Sequence, residues 1–151
     1  MAPSVKTSTT RRANSKPYVL DEQIGFILRQ VSQRHTTIFA GEMSDDLTPM
    51  QWAALSKLHE KGDCSQNLLG RLTAMDGATI KGVIERLRKQ GLVDASADSS
   101  DGRRLVVRLT DGGVKAVQRA LPHAARITEQ TLAPLSPRQR DDLLGLLKAL
   151  L

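Results

Sequence analysis

At 151 residues, with 40% apolar and 25% charged side chains, the chain suits one globular domain with an appended interface, and its apolar runs fall far short of a membrane span. Aromatic side chains make up only 3%, which argues against the base-stacking platforms of single-strand binders, and a lone cysteine, Cys64, excludes an internal disulfide or a multi-thiolate zinc site. A net charge of +6 with a pI near 9.9 points to a polyanionic partner. With no apolar secretory leader near Met1, the expected setting is the cytoplasm.

The charge is unevenly placed. Residues 1–17 carry Lys6, Arg11, Arg12 and Lys16 and no acid, residues 18–64 hold four bases against seven acids, and residues 65–110 hold eight bases against five. Residues 1–17 have almost nothing to bury and are expected to form a disordered basic tail. From Asp21 the pattern turns helical, with Ile24, Leu28, Val31, His35 and Ile38/Phe39 at spacings of three and four, implying one long helix to about Met43. Thr48-Pro49-Met50-Gln51 opens the next helix: Thr48 caps, Pro49 takes the first helical position, and Gln51 completes a capping box. Leu47 and Trp52 stand at staple positions, and Gly62 ends the helix near Lys61.

Ser65 caps a short helix with Leu68, Leu69 and Leu72 expected to face inward, and Thr73-Ala74-Met75 is the turn after it. Asp76 caps a fourth helix whose Ile80, Val83, Ile84 and Leu87 make one apolar stripe, stopped by Gly91. The other face shows Thr79, Lys81, Arg86 and Lys89. Leu92-Val93 begins one extended run and 105–109 forms a second, around a turn-rich loop at 97–102, which reads as a hairpin. Thr110 or Asp111 caps a fifth helix, expected to kink or break at Pro122. Ser136-Pro137-Arg138-Gln139 opens a last helix dense in leucine, with Leu143, Leu144, Leu146, Leu147, Leu150 and Leu151. The domain reading is therefore a tail (1–17), an N-terminal helix (18–47), a winged helix-turn-helix (48–110) and C-terminal helices (111–151). The fold class is mainly α with a small β-hairpin wing.

Helix, short helix, turn, helix and hairpin in that order suit the reading of double-stranded DNA. A recognition helix needs an apolar back to hold it and a polar, basic front to enter the major groove. Residues 76–90 supply both, and Gly77, Ala78 and Gly82 lack bulk on the exposed side, so the helix N-terminus can approach bases or a phosphate. Thr79 and Lys81 are the expected base-edge contacts, while Ser65, Gln66 and Arg86 mainly position the phosphate backbone, and Asn67 is a further candidate DNA contact. The hairpin loop ends in Asp101-Gly102-Arg103-Arg104. A wing entering a narrow minor groove needs cations at its tip, and Asp101 is placed to orient one of them by a charge-assisted hydrogen bond.

The runs Ser65-Gln66-Asn67-Leu68-Leu69-Gly70-Arg71-Leu72, Asp76 to Leu87, Gln90-Gly91-Leu92-Val93 and Asp101-Gly102-Arg103, followed by Leu109-Thr110-Asp111-Gly112-Gly113, resemble the MarR family of bacterial regulators over about residues 20–151. Many members carry Arg-Arg directly after the wing Asp, where this chain has Gly102-Arg103-Arg104. The resemblance assigns the minor-groove role to Arg103 and leaves Arg104 for a phosphate. It further implies a homodimer on a pseudo-palindromic operator, acting as a repressor, with dimerisation through the first and last two helices (18–47 and 111–151) and a ligand pocket at the first. The leucine-dense last helix agrees independently, being more apolar than a solvated helix should be; the alternative is that its leucines close a monomer core.

The resemblance also implies a small aromatic carboxylate or phenolic effector between the dimerisation helices and the DNA-binding lobe. The candidate contacts are His35, Thr36 and Phe39, with Trp52 as a wall; the alternative for His35 is an ordinary hydrogen-bonded interface histidine. Cys64 before the Ser65 cap offers a redox reading, a helix dipole favouring its thiolate. Zinc sensing is disfavoured because His35, His59 and His123 are scattered, so neither a metal nor another cofactor is expected. No phosphate loop, nucleophile elbow or apolar carboxylate pair supports an enzyme. A winged-helix protein-interaction module remains a rival, against which the charge of the recognition helix and wing argues.

Overall fold

The structure, a computed structural model, describes residues 16–151. Most of the expected basic tail therefore lies outside the described residues; Lys16 and Pro17 are exposed. The long first helix begins slightly later than its periodicity suggests, because a 3-10 turn, Leu20–Glu22, precedes it. Helix α1 then spans Ile24–Glu42. Helix α2 (Pro49–Lys61) starts with the full capping box: Gln51 N–H donates to Thr48 Oγ1 at 3.2 Å and Thr48 N–H to Gln51 Oε1 at 3.0 Å. Gly62 terminates it.

Strand β1 (Cys64–Ser65) is two residues long, and helix α3 (Gln66–Leu72) follows directly. Helix α4 (Gly77–Lys89) is capped by Asp76 and ends in a Schellman arrangement around Gly91, whose φ of +72° is the left-handed conformation that glycine adopts without strain. Strands β2 (Val93–Ala97) and β3 (Leu105–Leu109) pair antiparallel, Val93 opposite Leu109 and Ala97 opposite Leu105. β1 adds to the other edge of β3, with Cys64 opposite Val107, giving the order β1-β3-β2. A two-residue run such as Cys64-Ser65 carries no alternation, so this third strand is invisible to pattern reading.

Helix α5 (Asp111–Leu132) is capped by Thr110, and helix α6 (Pro137–Ala149) by a second capping box between Ser136 and Gln139. The break expected at Pro122 does not occur; α5 runs through it. Gln118, whose carbonyl loses its helical partner, and Pro122 both lie on the exposed side, where water satisfies the freed group.

One core joins α2, α3, α4, the sheet and the first half of α5: Leu55, Leu58, Leu69, Ile80, Val83, Ile84, Leu87, Val93, Val107 and Val117 are buried together. Leu72, expected inside, is 38% exposed because it lies in the last turn of the seven-residue α3, past the core contact made by Leu69. α1 instead packs along α5. Arg34 donates to the carbonyls of Thr131 (2.6 Å) and Gln130 (2.9 Å), Arg119 pairs with Asp45 at 3.1 Å, and Arg126 and His123 both meet the Glu42 carboxylate. The Arg126 guanidinium, ahead of the hydrogen bond from His123, holds the Glu42 carboxyl below its ordinary range. Among the described residues, no helix is long and apolar enough to cross a membrane.

Candidate nucleic-acid interface

α3 and α4 are held at an angle by the turn Thr73-Ala74-Met75, where Ala74 takes φ +54°. Thr73 stabilises that turn by donating its hydroxyl to the Leu69 carbonyl at 2.6 Å. The apolar stripe of α4 is buried, so its other face is fixed outward: Gly77, Ala78, Lys81 and Arg86 are exposed and Thr79 is half-buried. Asp76 Oδ1 accepts from Thr79 N–H at 2.7 Å, and the amide and hydroxyl of Thr79 hold the Asp76 carboxyl below its ordinary range.

The wing is ordered by its own aspartates. Asp98 Oδ1 accepts from the amide and hydroxyl of Ser100, both at 2.9 Å, and Asp101 Oδ1 accepts from the Arg103 amide at 3.1 Å. Asp98 N–H donates to the Arg104 carbonyl at 2.8 Å, closing the loop. The Asp101 carboxylate thus shapes the backbone rather than pairing with an arginine head group, as the sequence had suggested. A carboxylate two residues before an amide reaches that amide more cheaply than it orders a long side chain. Arg103 and Arg104 are both exposed as a result.

A notch of about 100 Å³ between the start of α3 and the base of the wing is lined by Ser65, Gln66, Asn67, Arg103 and Arg104. The fold so gathers five of the expected DNA contacts, far apart in sequence, at one place. Ser65 caps α3 as expected, its hydroxyl accepting from Leu68 N–H at 3.1 Å, and at 8% exposure it offers little surface beyond that role. Some cations of the molecule are neutralised by carboxylates, and those of this face are not. Arg108, Arg119, Arg126 and Arg140 are all in ion pairs with carboxylates. Lys81, Arg86, Arg103 and Arg104 make none among the described residues.

The four candidate effector contacts do not share one site. Thr36 and Phe39 line a cavity of about 280 Å³ with Met43, Asp46, Leu47 and Pro49, between the end of α1 and the start of α2. His35 points instead to α5. Thr131 Oγ1 donates its single proton to the Ile127 carbonyl at 2.7 Å, so His35 Nδ1 donates to Thr131 Oγ1 at 2.9 Å. The His35 and Phe39 rings lie 6.5 Å apart, and of the two only Phe39 lines that cavity. Trp52 is half-buried against the core and does not line the cavity.

Cys64 sits in β1, outside α3, and burial followed by the neighbouring Asp63 charge pushes its thiol above the ordinary range. It stays protonated, contrary to the thiolate the redox reading requires. No group of three or more His, Cys, Asp or Glu among the described residues is placed to hold a metal.

The features sequence reading missed are tertiary. Glu42, His123 and Arg126 come together from α1 and α5, more than 80 residues apart, and nothing local marks them. Thr110 was expected only as a cap, yet its hydroxyl also donates to the Gly91 carbonyl at 2.6 Å.

A helix-turn-helix with a three-stranded wing and a face of unpaired cations defines a winged-helix transcriptional regulator. A profile of the MarR family matches residues 45–104. The HTH-type transcriptional repressor NicR of Pseudomonas putida is 36% identical over 146 residues, which cover 96% of this chain and 92% of that one. Among solved structures, a probable transcriptional regulator from Pseudomonas aeruginosa shares 55% identity at a TM-score of 0.86, over 88% of this chain and 100% of that one. BpsR of Bordetella bronchiseptica, whose DNA binding is regulated by 6-hydroxynicotinic acid, shares 38% at a TM-score of 0.86, over 89% and 97%. The chain belongs to the MarR family of transcriptional regulators.

Proposed function

We propose that the protein is a repressor that binds a pseudo-palindromic operator as a homodimer and lets go when a small aromatic acid binds. The observation that carries the DNA reading is the cluster of exposed cations along α4 and the wing, Lys81, Arg86, Arg103 and Arg104, none of which is in an ion pair among the described residues. Unpaired cations are free to displace counterions from phosphates. In this reading Gly77 and Ala78 let α4 approach the groove floor, Thr79 and Lys81 meet base edges, and Gln66, Asn67, Arg86 and Arg104 meet phosphates. Arg103 enters the minor groove. The dimer is supported by the exposed apolar residues of α1 and α6, which find no cover among the described residues.

For the effector, the cavity lined by Thr36 and Phe39, with the His35 ring 6.5 Å from that of Phe39, favours a flat, apolar acid bearing a second polar group. The relationship to BpsR makes 6-hydroxynicotinate the first compound to try. An anisotropy titration against duplexes selected from a random library tests both parts. Affinity is expected to fall steeply with salt, and Arg103→Ala to cost on the order of 1–3 kcal/mol. Salt-independent binding, or an unchanged affinity in the Arg103 variant, contradicts the interface. His35→Ala is expected to bind DNA normally but to resist release by 6-hydroxynicotinate; release unchanged in that variant removes His35 from the effector site.

A further inference from the structure

The carboxyl end of α4 and the amino end of α5 are joined directly, although a strand pair separates them in sequence. α4 closes with Gly91 N–H donating to Arg88 and Leu92 N–H to Leu87, both at 2.9 Å. The next two carbonyls outward are then taken by one residue: Thr110 Oγ1 donates to Gly91 O at 2.6 Å and Thr110 N–H to Leu92 O at 3.1 Å. The same hydroxyl accepts from Gly113 N–H at 3.0 Å as the cap of α5. A hydroxyl has one proton and two lone pairs, so both roles are filled at once.

The contact is tight as well as bonded. A Cβ at Gly113 would lie 2.0 Å from Leu92 O, and one at Gly112 would lie 3.3 Å from Gly91 O. No linker separates the two helices at this joint, so α4 cannot swing without moving the start of α5.

We propose that Thr110 is a positioning residue that sets which half-site spacing the protein accepts on DNA. This rests on the dimeric DNA-binding reading above. If α5 belongs to the dimer frame, the separation and angle of the two recognition helices pass through two copies of this joint. α4 is 13 residues, about 20 Å long, so a small rotation at its end displaces the opposite end by several times as much as the joint itself moves.

The substitutions that separate the roles follow from the chemistry. Thr110→Ser keeps both bonds. Thr110→Asp keeps the cap acceptor but offers Gly91 O a second acceptor in place of a donor. Gly112→Ala leaves the cap alone and wedges the joint.

Duplexes selected from random DNA by the unaltered protein are rebuilt with the half-sites moved by one and two base pairs, and affinities are measured alongside thermal melting. The unaltered protein and Thr110→Ser are expected to lose on the order of tenfold for one base pair, which turns a half-site by about 34°. Thr110→Asp and Gly112→Ala are expected to bind the series within about threefold or to move its optimum, with the melting temperature of Gly112→Ala undiminished. Variants that keep the original spacing profile, even if all affinities fall by one factor, overturn the proposal. Should Thr110→Asp not fold, the Gly112→Ala profile decides alone. If the unaltered protein selects no duplex, the DNA-binding reading fails first and takes this inference with it; that result appears before any variant is made.

Discussion

α1 and α4 carry the same signal in sequence, aliphatic residues at spacings of three and four, and meet opposite fates. In α4, Ile80, Val83, Ile84 and Leu87 are at most 2% exposed. In α1, Ile24, Leu28 and Val31 are 62%, 43% and 51% exposed, and α6 buries no residue at all. The winged lobe therefore closes its own core, whereas the helical frame has apolar faces left uncovered among the described residues. Periodicity reveals that a face seeks cover; it says nothing of whether the cover lies in the same molecule.

That contrast can be broken most forcefully at the frame. Exchanging Leu146 and Leu150, 69% and 70% exposed, for Asp should leave a folded monomer by sedimentation and lower operator affinity by on the order of a thousandfold, the contribution of two linked half-sites. A double variant that remains dimeric would move the interface away from α6. Within the lobe, Gly113→Ala forces a Cβ to within 2.0 Å of Leu92 O and should cost about 4 kcal/mol in urea unfolding, near the top of single-substitution effects. Leu55→Ala, at a wholly buried site, should cost about 3 kcal/mol.

Two smaller tests sharpen the comparison at α4. Ala74→Gly should raise stability by about 0.5–1 kcal/mol, because Ala74 holds φ +54° and a left-handed alanine is strained. Asp76 has its carboxyl held low by Thr79, so its contribution is full above the ordinary Asp range and is lost as pH falls through it. Asp76→Ser keeps a cap that does not titrate. Its melting temperature should decline less than that of the unaltered protein below about pH 4; parallel declines would show that other carboxylates dominate acid unfolding.

Much of the winged lobe was legible because its signals are local. Thr48, Ser65, Asp76, Thr110 and Ser136 each announce a helix by a side chain that reaches an amide three residues on, and the wing is bounded by its own turn residues. The candidate effector contacts were harder to read. Thr36 and Phe39 line one cavity, His35 answers to Thr131 on α5, and Trp52 stands apart, a division no spacing along one helix can disclose. Asp101 was matched to an arginine by charge, but the nearer Arg103 amide claims it.

Local chemistry alone, then, determined where the helices start, which face of α4 turns inward and which cations are offered at its front, because caps and periodicities act within a few residues. Tertiary structure decided the rest. It paired Cys64-Ser65 with β3, buried the Ser65 hydroxyl, let α5 run through Pro122 on a wet face, and set Thr110 against Gly91. Each of these depends on which distant group arrives to satisfy a donor, an acceptor or an empty volume, and that arrival is a property of the packed chain.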